Sequence, residues 1–209
     1  MLSRRHARGF TLMEVLIGAG IALLVVTGLI LAFTASTKST SDTLRRVKQT
    51  QDLRGAMAMM VRDVRRAGYW ANATSGSGAG ATYVNPFGAI DSATPGCLSF
   101  RYDRDGDGAA GATENFGYRL NAGAVEAMTA GDASNCAAAG NTWEALTDAK
   151  VNTVSALAFA VTEESASAGT GTIVVRTVEI RLEGNVAGSS AAKQQLVESV
   201  RIRNDLYRP

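Results

Sequence analysis

Hydrophobic and polar positions are distributed very unevenly along this chain of 209 residues. From Phe10 to Ala35 the only charged residue is Glu14, and only a few side chains carry a hydroxyl group. A helix of about 26 residues extends roughly 39 Å, which is enough to cross the hydrocarbon core of a bilayer. The pattern therefore predicts a transmembrane helix over residues 10–35.

A second pattern continues the helix beyond the apolar run. Between Ser36 and Gly68 there is no proline and only one glycine, Gly55, and charged residues are frequent. Apolar residues recur mostly at steps of three and four, as in an amphipathic helix; they are Leu44, Val47, Leu53, Met57, Met60, Val61 and Val64. We expect a second helical half over 36–68 that ends near Ala67–Gly68, with Met57, Met59 and Met60 packed on a sheet.

Short alternating runs typical of β-strands follow in the C-terminal part of the chain. They cover residues 98–102, 116–120, 154–161, 173–182 and 196–202. Residues 71–96 are rich in glycine, serine and alanine and predict mostly loop, and residues 122–150 predict irregular structure. The whole pattern predicts an α+β fold, in which a long N-terminal helix packs on an antiparallel β-sheet head over 69–209.

The residues before the apolar run change how the composition is interpreted. Arg4, Arg5 and Arg8 precede Gly9, as does the only histidine, His6. If residues 1–9 are removed, the loss of three arginines lowers the formal net charge from +2 to −1, and no histidine remains. The composition then gives no reason to expect nucleic-acid binding, and it removes histidine-based catalysis and most zinc, copper and iron sites.

The two flanks of the apolar run predict its orientation in the membrane. The N-terminal flank is rich in arginine, whereas residues 36–41 are polar with a single lysine, Lys38. The positive-inside rule therefore places the N-terminus in the cytoplasm and the head in the periplasm, with a single crossing of the inner membrane. A secretory signal peptide fits less well, because the run is long and no small-x-small cleavage site ends it. An ordinary signal anchor is the better competitor.

The boundary residues 8–17 read R-G-F-T-L-M-E-V-L-I. This boundary resembles the type IV prepilin signal, also called a class III signal. The resemblance implies that the prepilin peptidase cuts between Gly9 and Phe10 and that the new N-terminal Phe10 is methylated. The membrane helix would then stay with the mature chain, in which Glu14 is the fifth residue, the position where this family has its glutamate.

A carboxylate such as that of Glu14 needs a reason to lie within a membrane segment, because it costs about 3 kcal/mol at the bilayer centre. One turn from the helix start it gains a favourable interaction with the helix dipole. The alternative is that Glu14 has no such special role and only extends its carboxylate to the membrane interface. The resemblance implies a role in assembly, in which Glu14 pairs with the N-terminal amine of a neighbouring subunit and sets the register.

Two further segments resemble one branch of the pilin family. Residues 62–70 read R-D-V-R-R-A-G-Y-W and resemble the R-D-x-R-x-A-G-Y-W stretch at the end of the long helix in PilW-type minor pilins. Residues 200–204, V-R-I-R-N, resemble the V-x-V-R-N sequence at the C-terminal end of PilW-type and related J-type pseudopilin heads. The resemblance implies a pilin-like fold, with other major and minor pilins as partners through the N-terminal helix.

An acidic segment between two predicted strands fits a calcium-loop pattern. Residues 103–108 read D-R-D-G-D-G and are followed by five residues and a glutamate, as in D-x-[DN]-x-[DN]-G-x5-E. The flanks predict strands rather than the helices of an EF-hand, and a solvated turn rich in Asp and Gly is the alternative. The candidate Ca²⁺ ligands are Asp103, Asp105, Asp107, Glu114 and the backbone carbonyl of Ala109; no other cofactor is expected.

The two cysteines, Cys97 and Cys136, both lie in the polar half of the chain. If this half is exported to an oxidising compartment, a disulfide between them is the default interpretation. Two buried or free thiols are the alternative.

These features predict a structural protein rather than an enzyme. The expected function is that of a minor pilin that is incorporated into a type IV pilus or primes its assembly, and a minor pseudopilin of a type II secretion system is the alternative. A membrane-anchored periplasmic enzyme is disfavoured, because the sequence shows no nucleophile motif and no phosphate-binding loop. An adhesin or DNA-uptake component is disfavoured, because a charge near −1 indicates no basic patch.

Overall fold

The computed structural model describes residues 9–73, 85–169, 171–189 and 193–208. The molecule divides between Arg45 and Arg46 into two units. The predicted leader, apart from Gly9, and residues 74–84 of the predicted 71–96 loop lie outside the described residues.

Helix α1 (Leu12–Val64) begins directly after the predicted cleavage boundary. Within the described residues it is the one helix whose length and hydropathy would allow it to cross a membrane. Its threonines donate to backbone carbonyls one turn earlier, as from Thr27 to Leu23 (2.7 Å) and from Thr37 to Phe33 (2.9 Å). The hydroxyl groups therefore carry no unpaired donor into an apolar environment.

The last part of α1 packs in the second unit along one stripe of its surface. The buried residues recur at steps of three and four, as predicted; they are Gln49, Leu53, Ala56, Met57, Met60, Asp63 and Val64. Met59 packs partly against the same core, which confirms the predicted packing of the methionines. Leu44 and Val47 are exposed, so the buried stripe begins later than the apolar pattern predicts, at Gln49, which donates to the carbonyl of Gly184 (2.9 Å).

Within the described part of the head, nine strands form two antiparallel sheets. The first sheet has the order β1 (Ile90–Asp91), β2 (Cys97–Arg101), β3 (Asn115–Asn121), β4 (Ala124–Ala130) and β5 (Thr142–Ala145). In the second sheet β7 (Gly171–Val186) pairs with β6 (Asn152–Ala168), β8 (Gln194–Arg201) and β9 (Leu206–Arg208). One long helix packed with antiparallel sheets confirms the predicted α+β fold class.

The five predicted strand runs are confirmed, and the irregular structure predicted for 122–150 is confirmed for 131–141 and 146–150 but wrong where β4 and β5 form. Ala122 (φ 47°) and Gly123 (φ 80°) reverse the chain in two residues between β3 and β4. Two successive left-handed residues are the geometry that a tight hairpin needs. Because the turn is Ala-Gly rather than Asn-Gly, the usual sequence signal is missing, and both β4 and β5 escape prediction.

Side chains from both sheets close over the buried stripe of α1 and form one core. The first sheet contributes Leu98, Phe100, Tyr118 and Val125, and the second contributes Leu157, Val178, Ile180, Leu182 and Val200. Fully burying a side chain of this size stabilises a fold by about 1.5–3 kcal/mol. The helix is therefore a structural part of the head and not only its anchor.

A disulfide joins Cys97, at the start of β2, to Cys136, which lies between β4 and β5. The two Cα atoms are 6.1 Å apart, within the normal range for a disulfide. The backbone N–H of Cys136 also donates to the carboxylate of Asp91 on β1 (2.8 Å). The predicted pairing is confirmed, and it fixes the segment between β4 and β5 to the opposite edge of the first sheet.

The end of α1 is held by residues from distant parts of the chain. Gly68 has a positive φ of 73° and donates its N–H to the carbonyl of Arg101 (2.8 Å). The Asn204 side chain donates to the carbonyls of Arg66 (3.2 Å) and Ala67 (3.1 Å). A Cβ atom at position 68 would lie 2.9 Å from Nη2 of the buried Arg176. Glycine is therefore required at this helix end, by both its backbone conformation and its surroundings.

We predict that Gly68→Ala destabilises the head by about 2–4 kcal/mol, because it adds overpacking against Arg176 to the strain of a left-handed alanine. Gly188→Ala is the matched control, because Gly188 has a similar φ of 74° but open space around its Cα. The control should lose only about 1–2 kcal/mol. Urea unfolding followed by tryptophan fluorescence measures both values, and equal losses would contradict a packing role for Gly68.

Candidate functional site

The start of α1 is closed by two residues of the predicted prepilin signal. The hydroxyl of Thr11 accepts the N–H of Glu14 (3.2 Å), and the carboxylate of Glu14 accepts both the N–H and the hydroxyl of Thr11 (3.2 Å each). This reciprocal arrangement is a capping box, which satisfies donors that a helix start otherwise leaves unpaired. In a membrane such pairing is needed because water is not available.

The capping box fixes the conformation of the Glu14 side chain, but it does not include the group with which Glu14 would pair during assembly. Within the described residues its carboxylate is hydrogen-bonded only by Thr11, through one oxygen, and the side chain is exposed. Gly9 and Phe10 precede the helix and are also exposed. The sequence interpretation missed Thr11, although the spacing T-x-x-E at a helix start was visible. Cleavage after Gly9, methylation of Phe10 and the intersubunit role of Glu14 stay predictions.

The acidic loop between β2 and β3 brings its four carboxylates together. One oxygen from each of Asp103, Asp105, Asp107 and Glu114 lies within 4.8 Å of the others. Asp103 and Glu114 are buried, whereas Asp105 and Asp107 are exposed. The spacing seen in the sequence therefore corresponds to proximity in space. Ala109 is exposed at the rim of the loop, and its carbonyl stays a predicted ligand.

The two buried carboxylates hold the loop backbone in place. Asp103 accepts the N–H groups of Gly106 (2.7 Å), Gly108 (3.1 Å) and Ala71 (2.9 Å). Glu114 accepts those of Arg104 (2.8 Å) and Gly111 (2.7 Å). Hydrogen bonds to an ionised acceptor are the stronger kind, and losing them would leave several part-buried N–H groups without this acceptor. Asp103 and Glu114 therefore have a structural role that does not depend on a cation.

The segment that follows α1 is bound directly to this loop. The carbonyl of Tyr69 accepts the N–H of Asp103 (2.9 Å), and the indole N–H of Trp70 donates to the carbonyl of Gly108 (2.9 Å). The side chain of Asn72 donates to the carbonyl of Asp107 (3.4 Å). The A-G-Y-W stretch therefore couples the helix end to the acidic loop. Local sequence patterns did not predict these contacts, because the contacts join residues more than thirty positions apart in the chain.

The loop has the chemistry of a site for a hard cation. Ionised carboxylates only accept hydrogen bonds, and each has about four acceptor positions, so those bound to backbone N–H groups keep free lone pairs. A cluster of four carboxylates repels itself unless protons or a cation compensate the charge. Ca²⁺ takes six to eight oxygen ligands in a flexible geometry, which is the kind of shell that this loop offers.

Two family models match the chain. The model described as a prokaryotic N-terminal methylation motif matches residues 4–30, which include Gly9, Phe10 and Glu14. The model described as prepilin peptidase-dependent protein B matches residues 42–202, which is more than half of the chain. The chain belongs to the prepilin peptidase-dependent protein B family. Comparison with the curated proteins and with the solved structures gave no match.

Membership of the prepilin peptidase-dependent protein B family assigns the chain to the type IV pilin-like proteins. The protein is a structural subunit of the pilin or pseudopilin type with a prepilin signal, as the sequence predicted. The matched region contains the helix end, the acidic loop and both cysteines. The acidic loop and the disulfide therefore lie within the part of the chain that this family model matches.

We predict that Asp103→Ala lowers the free energy of unfolding by about 2–4 kcal/mol when a chelator is present, because three N–H groups lose a charged acceptor. The control is Asp105→Ala, because Asp105 is exposed and accepts one N–H, from Asp107 (3.1 Å). This change should alter stability by about 0.5 kcal/mol or less. Thermal unfolding in chelator measures both, and equal losses would count against a structural role for the buried carboxylate.

Proposed function

We propose that this protein is a minor pilin of the PilW type, which is incorporated into a type IV pilus or primes its assembly. A minor pseudopilin of a type II secretion system is the second candidate. Both assignments use the same structural role, in which the N-terminal helix packs among other pilin subunits and the head lies at the filament surface.

The observation that carries the assignment is the contact between two motifs from opposite ends of the head. The R-D-V-R-R-A-G-Y-W segment forms the end of α1, and its carbonyls accept hydrogen bonds from Arg203 and Asn204 of the V-R-I-R-N segment. The backbone N–H of Arg203 donates to the carbonyl of Arg65 (3.1 Å). Both segments resemble PilW-type minor pilins, and the contact between them supports the PilW-type assignment, because the two resembling segments form one structural unit.

The N-terminal signal supports the proposed processing and location. Prepilin peptidase would cut between Gly9 and Phe10, and the mature chain would begin with methylated Phe10. Arg4, Arg5 and Arg8 favour a cytoplasmic N-terminus, with the head in the periplasm until assembly. Glu14, already oriented by the capping box, would then meet the N-terminal amine of a neighbouring pilin.

The pseudopilin alternative is supported by a specific feature, because V-R-I-R-N also resembles the close of J-type pseudopilin heads. The A-G-Y-W stretch favours the pilus. A deletion strain separates the two functions, since loss of surface filaments indicates a pilus subunit and loss of protein secretion indicates a pseudopilin.

We predict that filaments sheared from the cell surface contain this protein at low stoichiometry beside a major pilin. Mass analysis of the sheared material should find a chain that starts with methylated Phe10. Glu14→Val should reduce incorporation into filaments at least tenfold while the protein is still processed, because an apolar side chain cannot pair with the neighbouring amine. Immunoblots of the sheared and membrane fractions measure this ratio.

A matched control for this experiment is Glu164→Gln, which removes one exposed carboxylate of the head and should leave incorporation unchanged. An intact Met1 start in the membrane fraction would contradict the prepilin assignment. Normal filaments in a deletion strain, together with absence of the protein from them, would contradict the minor pilin role.

We also propose that the acidic loop binds Ca²⁺ through Asp103, Asp105, Asp107, Glu114 and the Ala109 carbonyl. The proposal is supported by the full twelve-residue spacing and by the approach of the four carboxylates to within 4.8 Å of one another. A bound cation would relieve the repulsion among them and strengthen the contacts of the loop with Trp70 and Asn72.

We predict that millimolar Ca²⁺ raises the free energy of unfolding by about 1–3 kcal/mol, because a ligand that binds only the folded state stabilises it. The double variant Asp105→Ala/Asp107→Ala should lose most of this effect while keeping its stability in chelator, since both side chains are exposed. Glu164→Gln/Glu198→Gln removes the same charge elsewhere and should keep the effect. Thermal unfolding without any shift in Ca²⁺ would reject the site.

A further inference from the structure

A groove with a cavity volume of about 420 Å³ runs beside the last turns of α1. Met59, Arg62 and Asp63 of α1 line it, together with Arg66 just beyond the helix end. The opposite wall is formed by Tyr102 and Phe116 and by neighbouring residues of β3 and β4, and Arg104 of the acidic loop completes the lining. The groove therefore combines an aromatic wall with three arginines.

The aromatic wall is rigid and positions one of these arginines. The rings of Tyr102 and Phe116 stack with centroids 3.9 Å apart and an interplanar angle of 5°. The guanidinium carbon of Arg66 lies 4.4 Å from the centroid of the Tyr102 ring. A guanidinium over an aromatic face is held by cation–π attraction. Arg66 therefore presents its N–H groups to the groove from a fixed platform.

Among the residues that the structure describes, Asp63 is the one acid that lines the groove, and its charge is already compensated. Its carboxylate accepts the hydroxyl of the buried Tyr118 (2.6 Å) and lies 3.7 Å from Nε of Arg62. Burial raises the pKa of Tyr118, and the hydrogen bond to the Asp63 carboxylate raises it further. The phenol thus stays a donor to Asp63, and this acid does not neutralise the other two arginines.

The groove has an excess of positive charge in a concave surface. Among the described residues, neither Arg66 nor Arg104 forms an ion pair. Low-dielectric walls strengthen the field of such charges inside a cleft. Guanidinium groups bind carboxylates through two parallel hydrogen bonds, which makes arginine the suitable residue for their recognition.

We propose that this groove binds carboxylate side chains of an acidic segment on a partner protein. The proposal rests on the proposed function in so far as a neighbouring pilin subunit supplies that segment. A protein carboxylate is favoured over nucleic acid, because Asp105 and Asp107 lie exposed on the loop that carries Arg104. Their charge would repel a continuous phosphate backbone, whereas a short segment with one or two carboxylates can avoid them.

The test uses the full mature chain in detergent and isothermal titration with a short peptide that carries two glutamates (Gly-Glu-Gly-Glu-Gly). Arg66→Gln/Arg104→Gln should weaken binding at least tenfold at physiological ionic strength, because the two charged donors without an ion-pair partner among the described residues are lost from the groove. The matched control is Arg54→Gln/Arg203→Gln, which removes the same charge from exposed arginines outside the groove. The control should change the affinity less than twofold.

A second variant guards against an effect on folding. Arg66→Lys keeps the charge but loses the planar fork, and it should weaken binding severalfold without a change in the melting temperature. A single-stranded oligonucleotide of matched charge should bind more weakly than the peptide.

Three results would overturn the proposal: no binding of the peptide to the wild-type chain, equal loss in the two double variants, or tighter binding of the oligonucleotide. If any of these results is obtained while the protein is still present in sheared filaments, the groove proposal is rejected and the proposed pilus role is not. Absence from filaments with peptide binding intact rejects the proposed pilus role instead.

Discussion

Leu53, Met60 and Val64 have almost no exposed surface, because both sheets of the head close over the same stripe of α1. The two sheets and this stripe share one core, so the head depends on the helix for part of its buried apolar surface. The same helix carries the apolar run that suits a membrane. One element thus belongs to two environments, and its sequence changes from apolar all round to amphipathic where the environment changes.

The end of this helix is the point where the distant parts of the head meet. Gly68 is fixed by β2 and by the buried Arg176, Asn204 caps the last carbonyls, and Trp70 extends the contact to the acidic loop. A conformational change in the acidic loop would therefore affect the helix end through these hydrogen bonds rather than through side-chain packing in the core. The arginine groove lies beside the same helix end, with Arg104 contributed by the loop.

Much of this architecture was predictable from local patterns. The apolar run, the three- and four-residue steps after it and the alternating strands depend on residues that are near neighbours in sequence, and the acidic spacing brought four carboxylates together as expected. The Ala122–Gly123 turn lacked a strong signal, so β4 and β5 were missed. The cap by Asn204, the Trp70 contact and the groove were also missed, because they depend on pairings between residues far apart in the chain, which periodicity does not encode.

The cap on α1 by Arg203 and Asn204 has a consequence for the order in which the molecule can form. The carbonyls at the end of the first helix are capped by a residue 137 and 138 positions further along the chain, and β9 pairs with β7. Contacts of such large sequence separation form slowly, because the ends of a long loop must first be brought together. Closure of the head therefore depends on residues 203–208, and the end of α1 stays uncapped until these residues are in place.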